Sequence, residues 1–320
     1  MMNRRECLVA LLAGGSASGW AQGSAWPQRA IRWIVPFPPG GTTDAVSRLV
    51  ATEMAHALGQ PVVVENRPGA GTVIGVDAAV KAPADGYTVV CVANSFCANH
   101  TLVKNLPYDT LADLRPVGLM GMSEHVLATH TQSGFKTLPE FIAAARQKPG
   151  KLSYASFGNG TSAHLAGAML EAAVGVPLIH VPYKGQAPAM NDLIGGQVDL
   201  MFGNWPEFRQ HMQSGRMVAL GMATAQRSAM ARHIPTLTEQ GLAIESNSWN
   251  GLLVRTGVPE AVVERLSAEI QKALQAPAVV QAFREGGIAS LSGTPAQFER
   301  FIRSEVDKYA TVIRKAGIAL

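Results

Sequence analysis

Residues 31–64 read IRWIVPFPPGGTTDAVSRLVATEMAHALGQPVVV, and residues 152–181 read LSYASFGNGTSAHLAGAMLEAAVGVPLIHV. Both stretches run from an apolar segment through a Gly-rich turn with hydroxyls to a helical pattern, a Gly-x-Pro stop and a second apolar segment. In the first, the turn is Pro38-Pro39-Gly40-Gly41-Thr42-Thr43-Asp44, and Val46, Leu49, Val50, Met54 and Leu58 then share one helix face. In the second, the turn is Gly158-Asn159-Gly160-Thr161-Ser162, followed by Leu165, Met169, Leu170 and Ala173. Each is a βαβ opening, and two of them predict two α/β lobes of similar build.

The rest of the chain fits that frame. Residues 88–93 add a buried strand to the first lobe, and 198–202 and 218–223 add strands to the second. Residues 116–122 and 126–130 predict one long strand leaving the first lobe, with 249–254 carrying the chain back. Two crossings make a hinge. The boundaries are then lobe 1 at 27–124 and 248–320, and lobe 2 at 125–247. Capping boxes at Thr137/Glu140 and Thr294/Gln297 open two helices. Residues 259–274 are amphipathic through Val262, Val263, Leu266, Ile270 and Leu274. The last helix aligns Phe298, Phe301, Ile302, Tyr309 and Ile313 on one face.

Composition agrees. The chain has 320 residues, 47% hydrophobic and only 16% charged, enough to bury two cores. Its net charge of +4 comes from scattered basic residues, so nucleic acid is not an expected partner. Residues 1–21 have a charged start, a short apolar run and small residues before Ala21, the anatomy of an export signal cleaved there. Arg4-Arg5 fits either the general or the twin-arginine route. No later apolar run is long enough to span a bilayer. Export permits a Cys91–Cys97 disulfide, but with Cys91 in a strand and Cys97 six residues on, the chain would have to double back.

In open parallel sheets ligands bind beyond the carboxyl ends of the strands, where the Gly turns lie. Glycine lets backbone approach a ligand, and the following helix offers unpaired N–H groups and partial positive charge. Thr42, Thr43, Thr161 and Ser162 add hydroxyls. One such turn is as readily a helix cap; two at matching places favour paired anion cradles. A competing reading is an enzyme using Gly158-Asn159-Gly160-Thr161-Ser162-Ala163 as a G-x-G-x-x-A dinucleotide turn, but Tyr183 and Lys184 stand where a ribose-binding acid belongs. No P-loop or metal spacing of His and Cys occurs, so no cofactor is expected. His164 either faces the cleft or packs. Asp44 braces its turn, Asp199 pairs structurally, and Trp205 and Trp249 are cleft wall or core.

The stretches VPFPPGGTTDAVSRLVA, GQPVVVENRPGAGTVIG, LPYDTLADLRPVGLMG, KPGKLSYASFGNGTSAHLAG, IHVPYKGQAPAMNDLIGGQVDLMF and SWNGLLV run in order along the chain. They resemble the Bug-type periplasmic receptors of tripartite tricarboxylate transporters. The resemblance implies a two-lobed periplasmic binding protein of type II-like build, with two parallel or mixed sheets flanked by helices. It implies a monomer that holds a small mono- or dicarboxylate, possibly aromatic, through backbone groups and water. Delivery would be to membrane permease subunits. A ligand sensor of the same fold, docking on a signalling partner, is an alternative. By position, the implied ligand residues are Phe37, Gly41, Thr42, Asn94 and Ser95 in the first lobe. In the second they are Ser156, Gly158, Asn159, Gly160, Thr161, His164, Tyr183, Gly203 and Asn204. The chain departs from the pattern at Asn99-His100-Thr101-Leu102-Val103, at Val254-Arg255, and at Gly203-Asn204, where an acid is common. Without that acid, the expected ligand is more anionic or apolar-bodied rather than amine-bearing.

Overall fold

The structure, a computed structural model, describes residues 26–318. The expected signal segment, 1–21, lies outside them. Strand β1 (Ile31–Val35) lies between β2 (Val62–Asn66) and β3 (Thr88–Val92), all parallel. β9 (Asn247–Arg255) joins β3 antiparallel, β4 (Leu114–His130) joins β9, and β10 (Ile288–Ser290) closes on β4. In the second sheet β5 (Ser153–Ser156) runs parallel to β6 (Ile179–Pro182) and β7 (Leu200–Asn204). There β4 is the antiparallel member, pairing with both β7 and β8 (Met217–Met222).

β4 belongs to both sheets. Its residues up to Glu124 pair with β9, and from His125 onward they pair with β7 and β8. The chain was expected to return along 249–254, but β9 lies wholly in the first sheet. The return comes just before it, where the Ser246 N–H donates to the Ala223 carbonyl at 2.9 Å.

Helices cover both faces of each sheet, so the strands are apolar on both sides. In β1, Ile31, Trp33 and Val35 join the core under α1 (Thr42–Leu58), α8 (Glu260–Gln275) and α9 (Pro277–Gly286). Ile34 faces the opposite core, under α2 (Val73–Val80), α3 (Asn94–Leu102) and α10 (Pro295–Ala316). In the second lobe α4 (Leu138–Gln147) and α5 (Ser162–Val174) cover one face, and α6 (Gln186–Ile194) and α7 (Trp205–Gln213) the other.

The same two-faced packing settles several open readings. Cys91 points into the first core and Cys97 into the second, so the sheet separates two free, buried thiols. Trp249 is core: Phe298 and Phe301 meet it edge-on, and its Nε1 donates to Glu305 at 2.8 Å. Trp205 is buried beside Phe208. Asp199 accepts from the Ser153 N–H at 2.7 Å and from its hydroxyl at 2.9 Å, tying β5 to the start of β7.

Candidate functional site: an inter-lobe cleft ringed by helix starts

The parallel strands end at one cleft, and the helices that follow them begin there. α1 starts after Gly41, α3 after Ala93, α5 after Thr161 and α6 after Gly185; none of these four preceding residues caps its helix with a side chain. Their first N–H groups therefore lack the usual side-chain acceptor. Thr161 has a suitable hydroxyl, but it donates to the Gly158 carbonyl at 2.7 Å. α4 and α10, which start elsewhere, carry complete capping boxes at Thr137/Glu140 and Thr294/Gln297, whereas α8 and α9, also away from the cleft, have no side-chain cap.

The cleft encloses about 70 Å³, room for about five to seven waters. Of the residues expected from sequence, Phe37, Gly41, Thr42, Asn94, Ser95, Thr161 and Asn204 line it. Gly158 and Tyr183 instead line an adjoining compartment of about 320 Å³, which shares Phe37, Phe157 and Thr161 with the first and extends under residues 68–72. Ser156, Asn159, Gly160, His164 and Gly203 line neither. The Ser156 hydroxyl is buried against the Gly158 backbone and His180. A Cβ on Gly203 would fall 1.9 Å from the Phe208 ring, so that position faces the core. Gly160, at φ +73°, approaches the first lobe: a Cβ there would lie 3.0 Å from Asn99 Oδ1. His164 turns back from the cleft, accepts from the Gly160 N–H at 3.1 Å and stacks on His180 at 3.9 Å.

Several lining side chains are already committed. The Asn94 amide donates to Tyr309 and to the Asn247 carbonyl and accepts from the Trp249 N–H. Ser95 pairs with Thr72 at 3.1 Å. Asp44 braces the first turn: it accepts from the Gly40 N–H, Arg48 and Asn66. Burial pushes its carboxyl up, but these donors outweigh burial and hold it below the ordinary range. The Thr42 hydroxyl accepts from Asn204 Nδ2 at 2.9 Å and contacts the Glu207 carboxylate. Both capacities of that hydroxyl are thus used across the lobes. Backbone N–H groups, rather than the Thr42 and Thr161 hydroxyls, are what the cradles offer.

Sequence reasoning missed the α6 start, where Lys184, Gly185, Gln186, Ala187 and Pro188 join the lining. The signal was present: a glycine, then a helix with proline in its first turn. It also missed Glu207. Glu207, one turn beyond Gly203 in α7, lines a neighbouring pocket that shares Gly41 and Thr42 with the cleft, and contacts the Thr42 hydroxyl. Burial pushes the Glu207 carboxyl up, against the pull of Thr42, Asn204 and Gln186. Among the described residues, Lys184, exposed at the rim, is the one lysine or arginine in the lining.

A profile of the tripartite tricarboxylate transporter family receptor matches residues 46–318. A protein encoded in the tcbD-tcbE intergenic region of Pseudomonas sp. (strain P51) is 40% identical over 98% of this chain and 94% of its own length. BugT of Bordetella pertussis is 37% identical over 92% of this chain and 91% of its own. Among solved structures, periplasmic binding protein BugD superposes with a TM-score of 0.87 at 33% identity, covering 92% of this chain and 99% of that one. R. palustris Rpa4515, solved with adipate, gives 0.88 at 31% identity, with the same coverage. MatC from Rhodopseudomonas palustris, solved with bound malate, gives 0.85 at 29% identity over 90% of this chain and all of that one.

Proposed function

The chain belongs to the tripartite tricarboxylate transporter receptor family, and from that premise we propose that it is an exported receptor for a small carboxylate. It works in the periplasm as a monomer, closes its lobes over the acid and hands it to membrane permease subunits. Its action is binding, not catalysis. The lobes are 27–124 with 248–320, and 125–247; the change of β4 partners between Glu124 and His125 supports that division.

The observation that carries this reading is the ring of four helix starts without side-chain caps. Each helix end favours an anion by about 0.3–1 kcal/mol when exposed and up to about 2 when partly buried. Four ends supply a good part of the roughly 8 kcal/mol of a micromolar complex. Because α1 and α3 belong to one lobe and α5 and α6 to the other, an anion between them stabilises the closed form through contacts that the open form lacks. The adipate and malate in the related structures are acids of this class. A nucleotide is disfavoured, since the Gly158–Thr161 turn spends its hydroxyl and the Gly160 N–H internally.

The test is a thermal-shift screen with mono- and dicarboxylates, aromatic and aliphatic. At least one acid is expected to raise the melting temperature with a concentration-dependent shift. No shift across the panel contradicts the proposal.

A further inference from the structure

Behind the second cradle, a groove of about 510 Å³ lies between α5 of the second lobe and the end of α10 of the first. None of its lining residues lines the cleft or the compartment beside it. Two of them, His164 and Tyr154, are more than nine-tenths buried. The His180 ring stacks on both, 3.9 Å from His164 and 4.9 Å from Tyr154. A Cβ on Gly167 would fall 2.0 Å from the Tyr154 ring, so that ring lies flush against α5. Packing therefore fixes both rings before anything binds.

His164 Nδ1 accepts from the Gly160 N–H, so the proton of the neutral ring sits on Nε2. Burial lowers the His164 pKa and keeps the ring neutral. Burial and the neighbouring Glu171 carboxylate push the Tyr154 phenol up, so it keeps its proton. Among the described residues, neither His164 Nε2 nor Tyr154 Oη has a hydrogen-bond partner, and neither atom is shut away from solvent. Residues His164, Ala168, Glu171 and Ala172 recur along one face of α5 and form one wall of the groove. His164 stands in the first turn and Glu171 two turns on, about 10 Å along the axis. The start of a helix favours an anion and its end a cation. A donor at the start and a carboxylate toward the end match that polarity, with two alanines as an apolar floor between them. Lys315, exposed on the facing wall, supplies one cation against the one acid.

We propose that this groove is a second ligand site, for a linear amino acid whose carboxylate and ammonium are separated by a short apolar chain. The carboxylate accepts from His164 Nε2–H, with Lys315 as its counter-charge. The chain lies on Ala168, and the ammonium pairs with Glu171 and donates to the Tyr154 oxygen. A dicarboxylate would meet the charge of Glu171, and a plain amine would leave His164 unmatched. The groove has a wall from each lobe, so an occupant stabilises the arrangement in which Thr42 and Asn204 also meet across the lobes. It also touches the residue that holds the Gly160 turn. By linkage, amino acid and cleft acid then raise each other's affinity. The groove stands apart from the carboxylate reading; only this coupling rests on it.

The test is NMR and calorimetry on the mature protein with 4-aminobutanoate, 5-aminopentanoate and 6-aminohexanoate, beside butanoate, butylamine and succinate. Gly41→Asp, whose own carboxylate covers the α1 start, keeps the probes out of the cleft. In that background at least one amino acid is expected to shift the His164 ring signals and the amides of residues 168–175 saturably. It should bind at least about tenfold tighter than butanoate, butylamine or succinate. Glu171→Gln should lower its affinity at least about fivefold and leave that of butanoate within about twofold. Tyr154→Phe, which keeps the ring stack, should weaken it as well. With the cleft open, the saturating amino acid should tighten the best cleft acid at least about fivefold. No saturable shift in the groove, equal binding of butanoate or succinate, or undiminished binding by both variants overturns the site. Unchanged acid affinity overturns the coupling. Failure of every acid to bind the open cleft overturns the carboxylate reading and the coupling, while the groove titration in Gly41→Asp still decides the site.

Discussion

His164 shows how a residue can serve the cleft without touching it. Its unprotonated Nδ1 accepts the Gly160 N–H and so holds the second cradle in shape. Burial lowers His164 to about 4 and His125 to about 3, and burial together with neighbouring His164 lowers His180 to about 3. An imidazole in the unfolded chain titrates near 6.5. As the pH falls below that value, the unfolded chain takes up protons that the folded one refuses. The stability these three residues supply is therefore complete above about 6.5 and is lost as the pH falls toward their folded values. The urea midpoint should drop between about pH 7.5 and pH 5; an unchanged midpoint contradicts this. At this scale the sequence could be read only in part. Phe37, Thr42 and Thr161 follow strand ends and are placed by topology. Ser156 and Gly203 also sit at strand ends, but the parity of the strand turns them inward, and parity is decided by packing against partners such as Phe208.

Among the elements, the helices that begin at the cleft leave their first N–H groups without side-chain caps, while α4 and α10 are capped. Thr137 and Thr294 cap α4 and α10 as their motifs predict. Thr137→Ala should cost about 1 kcal/mol of stability and leave acid affinity unchanged. Gly41→Asp places a carboxylate on the α1 start instead. Gly41 has ordinary extended backbone, and a Cβ there meets nothing within 4 Å, so the variant should fold. Its own carboxylate would satisfy the N–H groups meant for the ligand. Denaturation should show stability equal to wild type or higher, and calorimetry should show acid affinity at least about tenfold weaker. Tight binding by Gly41→Asp would place the anion elsewhere. The repeated βαβ opening made α1 and α5 readable, because strand, turn and apolar helix face are all local signals. α6 begins after a bare Gly185 with no hydroxyl, and its role at the cleft depends on the second sheet being assembled.

For the whole molecule, β4 is the member that turns two lobes into one device. His125, the first residue of its second half, is buried between the two crossings: it bonds Ser246 at 3.0 Å and Ser162 of α5 at 3.4 Å. The hinge and the second cradle thus share a residue. The two apolar runs 116–122 and 126–130 made this strand readable as one piece, whereas the return at Ser246 carries no strand pattern of its own. The most direct test of the account is a backbone amide NMR titration with the acid that gives the largest thermal shift. The amides of Thr42, Thr43 and Asp44 in one lobe and of Ser162, Ala163 and His164 in the other should shift together and saturate at one concentration. Shifts confined to one lobe, or centred away from both helix starts, would contradict the claim that opposed backbone N–H groups grip the acid.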